Sequence, residues 1–367
     1  MRIVRWLIYV AIALAVLAGG AYAVLQIPSV QDQIVLRATK SALFRDRSAL
    51  FADDAMRVAI CGTTGPLIDF RRAKSCNVVI AGGKFYIVDI GPESTEVLNS
   101  WRLPMERLGG VFVTHMHSDH IGELGELNMQ SWAQGRGKPM PVFGPPGIER
   151  VVAGFAEAYA LDRDYRVAHH GADLLSPDHW TMAATPVALE GPPTPTRDRR
   201  AVMLKDGDLT VTAIEVNHSP IEPAYAYRFD YKGRSVVISG DTSKHLGLAD
   251  GAKNADVLIH EAQAKHIVAQ MIAASTEAKQ PRLNKIFNDI QNYHASPVEA
   301  AEIANIAGVK LLVMTHYTPP PNNPLIGWSF LRGVSAVRAS GVVMAEDNMM
   351  IVLPIAAPER VDVGRID

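Results

Sequence analysis

The sequence predicts an α/β fold behind an N-terminal membrane segment, and three observations lead there. From Val58 onward, short β-branched runs bounded by Gly, Pro or Asp alternate with helical stretches. Residues Trp6 to Leu25 form an uncharged run after Arg2 and Arg5, and about 20 such residues suffice to cross a bilayer. The composition, 48% hydrophobic and 20% charged, supplies enough apolar side chain to offset the entropy of ordering, which excludes a disordered or collagen-like chain.

Taken in order, residues 1–25 read as a signal peptide or signal anchor, with Gly19-Gly20 and Ala21-Tyr22-Ala23 resembling a cleavage region. That reading implies export to the periplasm or another extracytoplasmic space, with anchoring in the cytoplasmic membrane by residues 6–25 if the segment is uncleaved. Residues 26–55 lack Gly, carry apolar residues at helical spacing after Pro28, and are expected as a helical linker. Residues 56–357 form the folded body and 358–367 a C-terminal tail.

Within the body, Cys61 and Cys76 sit near two predicted strands, Val58 to Cys61 and Asn77 to Ile80, so they are expected either to bridge or to remain two buried thiols. Ser296-Pro297-Val298-Glu299 is a helix start, with a capping Ser, Pro at the first position and Glu to complete the capping box. That helix is expected to stop near Gly308. Pro-rich loops fall at Gly191 to Arg200 and Pro319 to Pro324.

The residues that carry chemistry lie at strand exits. The run Val111 to Thr114 leads into His115-Met116-His117-Ser118-Asp119-His120, three imidazoles and a carboxylate within six positions. Imidazole nitrogen and carboxylate oxygen suit a borderline divalent cation, and alternation sends His115 and His117 to one side. The pattern recurs where Val211 to Val216 leads to His218, Ser235 to Ser239 to Asp241, Asp256 to Ile259 to His260-Glu261, and Lys310 to Thr315 to His316. Functional groups carried on loops after rigid strands are expected to converge. His115, His117 and His218 are therefore assigned to one metal, Asp119, His120 and His316 to a second, and Asp241 to the position between them. Open coordination positions mark a catalytic rather than a structural site.

These pieces resemble the metallo-β-lactamase superfamily, specifically its ribonuclease Z and arylsulfatase-like branch, over about Met56 to Leu353. The matching residues also include Val88-Asp89-Ile90-Gly91, Ala224 to Phe229, Ser239-Gly240-Asp241-Thr242, Ile259 to Ala262, His294 and Met314-Thr315-His316-Tyr317. The resemblance implies a four-layer αββα sandwich, two divalent metal ions, expected to be Zn²⁺, and proton-transfer roles for Glu261 and His294. Asp119 is expected to orient the attacking water as well as ligate. The sequence departs from ribonuclease Z at Gln263, where Thr is usual, and at Ala295, where a hydroxyl residue is usual.

A formal net charge of −2 supplies no general attraction for polyanions. The expectation is therefore an exported, metal-dependent hydrolase of a small ester-like substrate, a phosphodiester, sulfate ester or lactone, with nucleic acid not expected as a partner. A ribonuclease Z-type endonuclease and a catalytically silent, membrane-tethered metal-binding module are the alternatives. Oligomeric state is left open, a dimer included. Arg197, Arg199 and Arg200 form a small basic cluster, and Trp328 and Phe330 either line the cleft or pack their loop.

Overall fold

The computed structural model describes residues 2–189 and 199–366. Two compact units divide the chain, Met1–Arg47 and Ser48–Asp367. The first contains the helices Arg2–Leu25 and Pro28–Leu43. The former has 24 residues, none buried, and is long and apolar enough to cross a membrane.

Among the described residues, the second unit is built on fifteen strands: β1 (Ala55–Gly62), β2 (Cys76–Ala81), β3 (Lys84–Val88), β4 (Leu108–Phe112), β5 (Met140–Gly144), β6 (Met182–Pro186), β7 (Arg200–Asp206), β8 (Leu209–Val216), β9 (Ala224–Tyr231), β10 (Arg234–Ile238), β11 (Val257–Gln263), β12 (Leu311–Thr318), β13 (Val342–Met344), β14 (Met349–Pro354) and β15 (Asp362–Arg365). They form one sheet in the order β15-β14-β1-β2-β3-β4-β5-β6 and another in the order β13-β12-β11-β10-β9-β8-β7.

Strand alternation generates the layers. In β1, Val58 and Ile60 face the space between the sheets, where they meet Val211, Phe229, Val236 and Ile259 of the opposite sheet. Their neighbours Ala59 and Cys61 face outward and pack with Leu98, Leu124, Leu127 and Ile148 from covering helices. The second sheet does the same: Val236 and Ile259 point inward, while Val237 and Leu258 pack against Ala300, Ile303 and Ala304 of the helix Pro297–Ala307. Both faces of both sheets are thus covered, which is why the central strands read as continuous apolar runs. The result is the expected αββα sandwich. Phe112 at the end of β4 joins the sheets, stacking on Phe143 at 4.8 Å and meeting Tyr227 and Phe229 edge-on at 5.3 and 5.6 Å.

The expected helix start is present in full: the Ser296 side chain accepts from the Glu299 backbone, the Glu299 side chain accepts from the Ser296 backbone, and Gly308 closes the helix at φ 67°. Cys61 and Cys76 are bridged. Closing a loop of this length contributes about 3 kcal/mol in the chain-entropy account. Two boundaries differ from expectation. The linker ends earlier, because Phe51 turns into the core against Phe85. The stretch expected as a C-terminal tail contributes β15, paired antiparallel with β14. Most of the loop from Gly191 to Arg200 lies outside the described residues, as does Arg197.

Candidate metal centre

The sequence-predicted ligands lie beyond the C-terminal ends of strands in the two sheets, except His316, which lies within β12 near its C-terminal end. β4 ends at Phe112, and the chain bends at Thr114 and runs on to His117, which stands just before the short helix Ser118–Ile121 that carries Asp119 and His120. β8 leads to His218 and β10 to Asp241. Between β10 and Asp241 stands Gly240 at φ 57°, where a Cβ would lie 2.7 Å from the Tyr225 carbonyl oxygen, so only glycine lets this turn approach so closely.

His316 is placed by a bulge. In the parallel pairing of β11 with β12, Glu261 faces Thr315 while Ala262 faces Tyr317, leaving His316 as the extra residue at φ 49°. A bulge of this kind re-aims one side chain without ending the strand. Strained backbone at a non-glycine residue costs on the order of 1–3 kcal/mol and persists where the surrounding structure enforces it.

The donor atoms converge tightly. His115, His117, His218 and Asp241 form one group, and Asp119, His120 and His316 a second, with the ligand atoms within each group no more than 4.8 Å apart. Asp241 lies between them: its Oδ2 is 3.4 Å from His120 Nε2 and 3.9 Å from both His115 Nε2 and His218 Nε2, and its Oδ1 is 3.4 Å from His316 Nε2. His316 Nε2 is also 3.1 Å from Asp119 Oδ2. Asp241, His294 and His316 make a third compact group.

The electrostatics of the carboxylates and of the first imidazole group suit cations; at His120 burial opposes a proton, but Asp241, Asp89 and Asp119 outweigh it and hold the ring well above its ordinary value. Burial, the largest influence, pushes His115 far below its ordinary value and lowers His117 and His218 as well, which leaves these imidazoles in the neutral form that ligates metal. Burial alone would raise Asp241, but the surrounding histidines, His316 and His120 first, hold it well below the usual carboxylate range. Asp119, where burial is likewise outweighed by His120 and His316, comes down to about 2. Asp241 Oδ1 is buried without a hydrogen-bond donor. An orphaned carboxylate oxygen ringed by imidazoles is what bound divalent cations would satisfy, so the residues present fit the group.

Supporting contacts fix the rings. His120 Nδ1 lies 2.8 Å from Asp89 Oδ2, and Asp89, itself at φ 60°, also accepts from Thr114 N at 2.8 Å and from Thr114 Oγ1 at 2.9 Å. His218 Nδ1 donates to the Tyr293 carbonyl at 2.9 Å. Each contact settles which nitrogen points inward. Glu261 Oε1 accepts from Thr242 N at 3.0 Å and from Ala295 N at 3.2 Å, and lies 2.9 Å from His294 Nδ1. Burial opposes a proton on His294, but the charge and hydrogen bond of Glu261 outweigh it and raise the imidazole above its ordinary value.

Sequence reasoning did not single out Tyr293 or assign a role to Asp89. Asp89 carried a signal, since it ends a β-branched run; Tyr293 acts through its backbone carbonyl and carries none. His260 points away from the donors, its Nδ1 2.7 Å from the Glu261 carbonyl. Phe330 packs the loop against Tyr317 at 5.3 Å, and Trp328 is 79% exposed. Arg199 pairs with Glu215 and Arg200 with Asp250, so neither offers a free cation.

Fold and site together define a metal-dependent hydrolase. The Beta-lactamase superfamily domain matches residues 87–317. The Ribonuclease Z of Mycobacterium bovis (strain BCG / Pasteur 1173P2) is 35% identical over 268 residues, which is 72% of this chain and 86% of that protein. The Ribonuclease Z of Mycolicibacterium paratuberculosis (strain ATCC BAA-968 / K-10) is 35% identical over 267 residues, with the same coverage. Among solved structures, the metallo-beta-lactamase fold protein YhfI from Bacillus subtilis superposes with a TM-score of 0.57 at 21% identity, covering 82% of this chain and all of that one. Human tRNase Z, short form, gives 0.57 at 22% identity, covering 81% and 99%. The chain belongs to the metallo-β-lactamase superfamily, in its ribonuclease Z-like branch.

That membership corrects two expectations. A hydrolase of small ester-like substrates, with nucleic acid set aside as a partner, does not agree with relatives that bear the name Ribonuclease Z over most of their length. The physical reason is that a net charge of −2 is a sum over the whole chain. It does not describe the field at a cationic metal centre.

Proposed function

We propose that this chain is a ribonuclease Z-type endonuclease that hydrolyses a phosphodiester bond in RNA. The observation that carries the reading is the arrangement of two donor groups about Asp241 in a chain 35% identical to ribonuclease Z. His115, His117 and His218 would hold one divalent cation and Asp119, His120 and His316 the other, with Asp241 shared. Imidazole with carboxylate favours Zn²⁺. Such cations supply Lewis acidity and an activated water.

The chain's own residues do the rest. Asp119 orients the attacking water. The water gives up one proton to solvent as its oxygen bonds to phosphorus. As the bond to the leaving oxygen breaks, His294 delivers a proton to that oxygen, giving a phosphate end and a hydroxyl end, and the ring takes up a proton from solvent for the next turnover. Glu261 holds His294 by Nδ1, which leaves Nε2 to act, and keeps the ring protonated. Incubating the purified chain with short RNAs, with and without added zinc and after chelation, tests the reading. Cleavage that vanishes on chelation and returns with zinc is expected; a zinc-loaded protein that leaves every RNA intact overturns it.

The helix Arg2–Leu25 tethers the enzyme to a membrane in this reading. Arg2 and Arg5 before the apolar run, and the Cys61–Cys76 bridge, support a body on the extracytoplasmic side. Because Cys61 and Cys76 are buried, thiol labelling of the cell-derived protein is done in denaturant, where it should succeed only after reduction. Full labelling beforehand places the body in a reducing compartment.

A further inference from the structure

The helix Pro281–Asp289 has an apolar stripe that no core claims. Leu283, Ile286, Phe287 and Ile290 follow the i, i+3, i+4, i+7 spacing of one helix face. Yet the helix has no buried residue, and Leu283 and Ile286 are 45% and 43% exposed. The helix Pro297–Ala307, by contrast, sinks its stripe into the core. Unclaimed apolar surface beside a polar site calls for an occupant.

Ile286, Phe287 and Ile290 line a cavity of about 200 Å³ together with the polar residues His117, Asp119 and Asp241 and with Pro66 and Leu67. The helix that carries the apolar lining is anchored at both ends. Asn284 Nδ2 donates to Ser275 Oγ at 3.1 Å and to Thr276 Oγ1 at 2.8 Å on the adjacent helix Lys265–Glu277, and Gln263 Nε2 donates to the Ile290 carbonyl at 3.1 Å. A substrate's phosphate belongs at the polar residues, with the cations. What sits against Phe287, Ile290 and Leu67 in this cavity has to be apolar or present a flat π face. The volume, below the roughly 300–1,000 Å³ of a site that encloses a drug-sized ligand, admits one ring system and leaves the remainder of a polymer outside.

We propose that the apolar wall formed by Ile286, Phe287 and Ile290, together with Leu67, is the specificity element that seats the nucleobase next to the bond being cut. This rests on the ribonuclease reading above. Because every base has a π face, the wall selects for a base without selecting which one.

The test compares an RNA whose cut bond has been mapped with the same RNA carrying an abasic ribose on one or the other side of that bond. Wild type should lose about 5- to 150-fold in kcat/KM on one of the abasic substrates, the range expected when one stacked base is removed. Phe287→Ala should fall to that level on natural RNA and lose nothing further on the abasic one, with metal content equal to wild type. Leu67→Ala, in the same cavity, should show the same selective loss. Equal cutting of natural and abasic RNA by wild type, or equal losses on both substrates in the two variants, overturns the wall and leaves the ribonuclease reading standing. Failure of wild type to cut any RNA overturns that reading and the wall with it.

Discussion

Replacing Asp241 by Asn is expected to lower kcat by more than about 10³-fold, a larger loss than the 10²–10³ typical for removing one preorganised hydrogen-bond donor. The reason is geometric. Among the described residues, Asp241 is the one carboxylate within 4 Å of His115, His120, His218 and His316 together, so it can serve both donor groups. Asn keeps the shape but removes the charge and turns one ligand oxygen into a donor, which faces imidazole nitrogens aimed at the same space. Metal content should fall from two equivalents toward one or none when measured on the purified variant. The denaturant midpoint of the metal-free protein should move little, because the strands that carry the site are held by the inter-sheet core and not by this carboxylate. Activity within tenfold of wild type, at full metal content, would remove Asp241 from the bridging position.

Much of this site was legible because four of the ligands obey one local rule, an apolar run followed within three residues by His or Asp. The run before His115 and the runs before His218, Asp241 and His316 are all observed strands or their direct extensions. The layering was legible for a similar reason: strands covered on both faces leave little polar alternation, and the capping box at Ser296 announces its helix locally.

What could not be read depends on tertiary placement. Nothing local shows that His316 is the extra residue of a bulge, because the bulge exists only relative to β11. Asp89 looks like a turn residue, and its role is set by His120, thirty-one positions away. Tyr293 holds His218 through a carbonyl that any residue would possess. Phe51 and the residues of β15 have short, unremarkable surroundings in sequence and find partners only in the folded sheet. The expectation about nucleic acid failed on a different ground, since total charge was used to judge a local encounter.

Removing His294 separates proton delivery from metal binding. His294→Ala is expected to cost about 10²- to 10⁴-fold in kcat on RNA, where the departing ribose oxygen is a poor leaving group and needs a proton as its bond to phosphorus breaks. On a p-nitrophenyl phosphodiester the leaving oxygen is stable as an anion, so the same variant should lose about tenfold or less. Glu261→Gln should follow the same pattern at smaller amplitude, about 10- to 100-fold on RNA, because it disturbs the ring through its Nδ1 contact without removing it. The competing role is ligation, for His294 also forms a compact group with Asp241 and His316 and its Nδ1 lies 4.0 Å from Asp241 Oδ2. Ligation predicts something else: metal content drops in His294→Ala, and both substrates suffer alike. Geometry favours proton delivery, because Nδ1 is already committed to Glu261 at 2.9 Å, and a carboxylate in that position keeps a proton on the ring that a metal would displace. Equal losses on the two leaving groups, together with lost metal, would transfer His294 from the proton-delivery role to the ligand set.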